Sequence, residues 1–145
     1  MFNEIVAGIA LRLREAFGEG YEIYQDNVEQ GLQEPCFLIR PLKMEQLPLL
    51  GRRALRRCPF DVQYFPARQG DNAELCDAGG RMLDALGLIE LPDGSLLRGF
   101  QLGWETADGV LHFTVHYPLT IHAPQPREMM GELDAKITCK GGGSP

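Results

Sequence analysis

The chain is poor in the residues on which small enzymes and secreted scaffolds usually rely. It has only two serines, Ser95 and Ser144. Ser95 follows the turn dipeptide Asp93-Gly94 and Ser144 lies in the terminal glycine run, so neither occupies a G-x-S-x-G setting that would present a nucleophile. Its four cysteines, at 36, 58, 76 and 139, show no C-x-x-C spacing. That excludes the common zinc and redox motifs and leaves reduced thiols, as in a cytosolic compartment, as the reading. Cys58 on an apolar strand face and Cys76 in a helix are expected to be buried as small hydrophobic residues. The only histidines are His112, His116 and His122, and all three lie on one side of a single extended stretch. With a rise of ~3.3 Å per residue the first two are ~13 Å apart, too far to share a metal ion. No G-x-x-x-x-G-K or G-x-G-x-x-G loop is present to cradle phosphates. The sequence therefore nominates no catalytic residue, no metal ligand and no cofactor, and reads as a non-enzyme. No apolar run approaches the ~18 residues that a membrane span needs. The N-terminus reaches Arg12 only after its apolar residues, which is not the order expected of a secretory signal.

What is present is enough for one domain: 145 residues, 44% hydrophobic and 23% charged. The net charge of −6 argues against a dedicated nucleic-acid binder. Its distribution says more. Residues 40–68 carry seven basic side chains against Glu45 and Asp61, a net of +5, and the remainder carries −11. One basic segment in an acidic chain suits docking of like copies or of a partner. Its centre is Arg52-Arg53-Ala54-Leu55-Arg56-Arg57, flanked by Leu47, Leu49 and Leu50. A ribbon both cationic and apolar resembles a protein-docking element. No aromatic residue is interleaved at its tip to stack bases, so nucleic acid is the weaker alternative. Arg52, Arg53, Arg56 and Arg57 are accordingly the predicted interface residues.

Periodicity supplies the elements. Ile5, Ile9, Leu13 and Phe17, widened by Val6, Ala10 and Ala16, predict a helix capped by Asn3 and ended by Gly18 and Gly20. Tyr21–Gln25 and Cys36–Leu42 read as strands, the second an edge or near its end at Pro41. Residues 44–52 read as a long turn. Cys58, Phe60, Val62 and Tyr64 alternate with Arg57, Pro59, Asp61 and Gln63, predicting a strand over 53–65 with one buried face. Asp71-Asn72-Ala73-Glu74 opens a second helix in the manner of a capping box, with Leu75, Gly79, Met82 and Leu86 as its stripe. The Gly79-Gly80 pair inside it is read as close packing on a sheet. Leu96–Thr106 reads as one strand with Phe100, Leu102 and Trp104 on one face. After the turn at Asp108-Gly109, twelve residues from Leu111 to His122 alternate strictly, a strand longer than the usual ~5–6 residues whose ends project or pair with a neighbouring subunit. Trp104 and Phe60 are predicted core residues.

Two helices cannot cover both faces of such a sheet. The expected fold is α+β: a mostly antiparallel sheet with both helices on one face, the other face polar or covered by another molecule. Residues 1–123 are read as a single domain and 124–145 as a C-terminal tail, flexible in composition or docked on a partner through Met129, Met130, Leu133 and Ile137.

Three strings carry a resemblance: NEIVAGIALRLREAFGEGYEIYQDNVEQGLQEPCFLIR (Asn3–Arg40), RRCPFDVQYFP (Arg56–Pro66) and DGVLHFTVHY (Asp108–Tyr117). They resemble the small phage tail terminator proteins of tailed phages and prophages of Gram-positive bacteria, over about residues 1–122. The C-terminal tail has no counterpart in that resemblance. The resemblance implies a tail-terminator-like fold and a structural virion protein. It also implies a ring, commonly a hexamer, that caps the last ring of the tail tube, halts tail growth and contributes to head-tail joining. Its implied partners are copies of itself, the tail tube protein and a head-tail connector protein. Its implied location is the virion tail, after assembly in the host cytoplasm. The alternative from a different class is an arginine-ribbon nucleic-acid-binding protein of a prophage.

Overall fold

The computed structural model describes residues 2–25, 32–68 and 70–122. The described residues divide into two compact units, one within 2–46 and 56–119, the other of Leu47–Leu55 with residues 120–122. The predicted tail, 124–145, lies outside the described residues.

Helix α1 spans Phe2–Phe17 and buries Ile5, Ile9, Leu13 and Phe17 with Val6 and Ala10. Each such side chain contributes roughly 1.5–3 kcal/mol on leaving water. The helix already includes Phe2, so Asn3 lies in its first turn and is not its cap. Gly18 closes it in the left-handed region (φ 84°), its N–H donating to the Arg14 carbonyl at 2.9 Å.

Four strands follow: β1 (Glu22–Tyr24), β2 (Cys36–Pro41), β3 (Glu45–Pro48) and β4 (Arg53–Phe65). The segment expected as a long turn thus contains β3, which pairs with β4. Helix α2 is Asn72–Leu86. Then come β5 (Leu88–Glu90), β6 (Leu96–Arg98), β7 (Phe100–Ala107) and β8 (Val110–His122). The larger sheet runs β1-β2-β4-β8-β7 with β3 beside β4, and β5 and β6 form a separate hairpin. Among the pairings with a described register, β1 with β2 is parallel and the others are antiparallel. This is the expected α+β fold. β2 lies between β1 and β4, so Pro41 marks its end and not an edge.

Phe37 and Ile39 of β2, Cys58, Phe60, Val62 and Tyr64 of β4, and Leu111, Phe113, Val115 and Tyr117 of β8 form one core with both helices. The period-two reading of β4 and β8 therefore holds for these residues, whereas Pro59 and Gln63 of the opposite face are buried too, Leu119 packs only partly against the core and Ile121 is outside it. Phe17, Tyr21, Phe37 and Tyr64 pack as an aromatic cluster with ring centroids 4.9–6.4 Å apart. Asp71 caps α2, accepting from the Glu74 N–H at 3.0 Å. The capping box is only half formed, because the Glu74 side chain turns outward to accept from Tyr64 Oη (2.5 Å) and the Ala67 N–H (2.9 Å). The Tyr117 hydroxyl donates to the buried Leu86 carbonyl at 2.6 Å, and Arg12 Nε to the Leu88 carbonyl at 2.7 Å. Together they pin the α2–β5 junction.

The single strand expected over 96–106 is two. Gly99 interrupts it, with its N–H on the Gly87 carbonyl at 2.8 Å and its backbone tight against Val115 and Tyr117. A bulge follows. Gln101 takes φ 55°, and the register slips by one between Phe100↔His116 and Gly103↔Thr114. Leu102 and Trp104 therefore face the core, and Phe100 is carried to the opposite face, half exposed. Phe60 is fully buried as expected, whereas Trp104 packs against the core but is partly exposed. A β-carbon on Gly79 would overlap the Trp104 indole, so close packing on the sheet does explain that glycine. It does not explain Gly80, which has open space around it.

Candidate functional site

The chain's chemistry is best sought on the sheet face turned away from the helices, and in the loop of the second unit. On that sheet face β4 presents Arg57, Pro59, Asp61 and Gln63, β8 presents His112, Thr114, His116 and Pro118, and β7 presents Phe100 and Glu105. Cys36 and Leu38 of β2 share the face and are buried. Asp61 is its polar centre. One carboxylate oxygen accepts from Gln63 Nε2 at 3.0 Å and lies 3.6 Å from His112 Nδ1; the other is buried without a partner.

Next to this cluster, within the first unit, runs a groove of about 540 Å³. Phe100, His116, Pro59 and Pro118 line it, and Arg57, Leu42, Lys43 and Glu45 border it. Lys43 is 4.0 Å from Glu45. Arg57 makes no ion pair or hydrogen bond among the described residues. The groove is thus apolar within and charged at its margin, where Lys43 is matched by Glu45 and Arg57 is left as the unmatched cation among the described residues, the composition of a docking surface rather than of an active site. Sequence reasoning missed Phe100 here, because a bulge on a non-glycine residue leaves no periodic signal.

The four predicted interface arginines separate in the fold. Arg52 and Arg53 belong to the second unit, in and after the turn Leu50–Arg52. Gly51 and Arg52 both take positive φ there, 71° and 66°. Leu49 N–H donates to the Arg53 carbonyl (2.7 Å), and Arg53 Nε to the Leu50 carbonyl (3.1 Å). Both arginines are exposed, and Leu50 beside them is 85% exposed. Arg56 and Arg57 belong to the first unit, on opposite faces of β4 as consecutive strand residues must be. Arg56 is fixed to Gln46 Oε1 through Nε and Nη2 at 3.0 and 2.8 Å. Arg57 faces the groove.

The thiols have structural surroundings. Cys36 and Cys58 are buried. Burial pushes the Cys36 thiol up to about 11, with Glu34 and Glu22 adding to the effect. Burial raises Cys58 as well, against a lowering by Arg56. Neither is an activated nucleophile. Cys76, expected to be buried, is exposed; it stands to the side of the stripe that Leu75, Gly79 and Met82 define on α2. Among the described residues no three His, Cys, Asp or Glu side chains converge to hold a metal ion.

A family described as phage tail terminator protein matches residues 4–129. No curated protein matches the sequence. Among solved structures, a chain from the virion of a native gene transfer agent particle is similar with a TM-score of 0.49 and 12% identity, covering 84% of this chain and 97% of that one. The sheath/tube terminator of an extracellular contractile injection system, in its extended state, is similar with a TM-score of 0.52 and 14% identity. That likeness covers 99% of this chain, which spans 62% of the length of the other.

Proposed function

The chain belongs to the phage tail terminator family, and on that premise we propose that it caps the end of a tail tube, halts tube growth and offers a surface to the head connector. The observation that carries this reading is the family match, which extends over both helices and every strand but the first residues of α1. The fold likeness to a sheath/tube terminator agrees with it. Its role is that of a tail structural protein, acting through contacts between polypeptides rather than through turnover. Its partners are further copies of itself in a ring, hexameric by the earlier resemblance, then the tube protein and a head-tail connector. Its place is the virion tail, reached from the host cytoplasm during assembly.

Arg52, Arg53, Arg56 and Arg57 serve docking in this reading, to the tube or to a neighbouring subunit. Exposed Leu47, Leu49 and Leu50 beside Arg52 and Arg53 support a protein partner over nucleic acid. The decisive experiment is removal of the chain from a producing host. Particles then carry tails of uncontrolled length without heads, and supplying the chain restores normal particles. Ordinary tails in its absence overturn the capping role. Replacing the four arginines with alanine leaves the melting temperature within ~2 °C, as expected of surface substitutions, and lowers the yield of joined particles. Unchanged yield removes these arginines from the docking surface.

A further inference from the structure

We propose that the groove beside His116 receives the β5–β6 hairpin of a second copy of this chain, so that copies join head to tail. The inference rests on the tail terminator reading only in taking the chain to work as an assembly of like subunits.

The two surfaces complement each other in polarity and charge. The groove is concave, with half-exposed Phe100 at its side and Arg57 at its margin as the cation that no described carboxylate matches, Lys43 being matched by Glu45. The tip of the hairpin has the opposite sign: Glu90 and Asp93 flank it, Arg98 lies at its base opposite Leu88, and Leu96 is 58% exposed. Leu96 is left largely exposed on a tight hairpin, and Phe100 is left half exposed beside Arg57, which makes no ion pair or hydrogen bond among the described residues. Each supplies what the other lacks.

The hairpin is also held ready. The Leu91 N–H donates to the Ser95 carbonyl and the Gly94 N–H to the Leu91 carbonyl, both at 2.8 Å. Asp93 Oδ1 accepts from the Ser95 N–H at 2.9 Å and from its hydroxyl at 2.6 Å. Ile89 is buried in the core, and Gly8 lets α1 approach so closely that a β-carbon there would lie 2.9 Å from the Glu90 carbonyl oxygen. A docking element fixed in this way loses little freedom on binding.

Placement sets the geometry. The hairpin is anchored in the helix layer, and the groove lies on the sheet face turned away from it. A copy cannot fill its own groove, so each copy gives a hairpin and receives one. Such a contact is heterologous and closes into a ring or extends. Groove against groove, the isologous alternative, would set Arg57 against Arg57.

The test uses the full chain in a concentration series followed by light scattering and sedimentation. Phe100→Asp spoils the groove and spares the hairpin; Leu96→Asp does the reverse. Each alone weakens self-association ~10-fold or more, as loss of an interfacial anchor should. Mixed, they form a one-to-one pair that grows no further, because one intact groove meets one intact hairpin. A second set guards against misfolding. Arg57→Glu and Glu90→Arg each weaken association, and the two in one chain restore it. Melting curves matching wild type qualify each variant. The proposal is overturned if wild type stays monomeric throughout, if single variants associate like wild type, or if the mixture gives no pair and the double reversal no rescue. All three results leave the capping role standing, since that role fails only if particles lacking the chain keep normal tails.

Discussion

Two neighbouring glycines in one helix should respond to the same substitution with opposite signs. Inside a helix, glycine costs about 1 kcal/mol relative to alanine. Gly80 has nothing within 4 Å of where a β-carbon would sit, so Gly80→Ala should recover most of that amount, raising the melting temperature by ~2–4 °C. At Gly79 the same gain is available, but the new methyl would overlap the Trp104 indole. Relieving an overpacked contact costs typically ~1–3 kcal/mol, so Gly79→Ala should lower the melting temperature by up to ~8 °C. The cause is separable from the effect. Trp104→Val removes the indole, and in that background Gly79→Ala should become neutral or stabilising, a coupling that a double-mutant cycle measures. Trp104 is the only tryptophan, so its emission reports the same site: Gly79→Ala should shift it to the red as the ring is pushed toward water, and Gly80→Ala should leave it unchanged. Calorimetry of the four variants decides the matter. If Gly79→Ala raised the melting temperature as Gly80→Ala does, the close approach of α2 to β7 would be refuted.

Three further outcomes follow from the interior. Tyr117→Phe removes the donor to the Leu86 carbonyl; leaving that buried acceptor unpaired should cost ~1–3 kcal/mol, seen as a lower denaturant midpoint with unchanged slope. Of Cys36, Cys58 and Cys76, only the last should react promptly with a thiol reagent at pH 8, the buried pair reacting on unfolding. Because burial raises the Cys36 thiol from 9.0 to about 11, the unfolded chain loses that proton first. Stability present below pH 9 is therefore lost as pH rises toward 11, and Cys36→Val should flatten the decline. An alkaline melt series on both proteins checks the slope.

What the sequence made legible were the elements with long, unbroken patterns. The stripe of α1, the alternation of Cys58 to Tyr64 and that of Leu111 to Tyr117 each repeat often enough to define a face. The turn at Asp108-Gly109 was legible because both residues take positive φ, 55° and 76°, the signature of a two-residue hairpin. Short elements were not: β5 has three residues, too few for a period, and β3 lies across Pro48. Phe100 was assigned to the wrong face because the bulge at Gln101 resets the alternation. The four arginines proposed for docking were legible as a charged run, but their separation onto opposite faces of β4 and into the loop depends on where the strand begins. The capping box failed at Glu74 because the Tyr64 hydroxyl and the Ala67 N–H outcompete a backbone N–H for its carboxylate. The parallel pairing of β1 with β2 has no local signature at all, since it is a choice of partner and not of conformation.

The larger sheet ends in β1, of three residues, at one flank and in β7, broken by its bulge, at the other. Neither β1 nor β7 is a long, straight strand on which foreign backbone could stack without limit. For a protein whose task is to bring a growing filament to a stop, this matters beyond its own solubility: a stopper that seeded fibrils of itself would defeat its purpose.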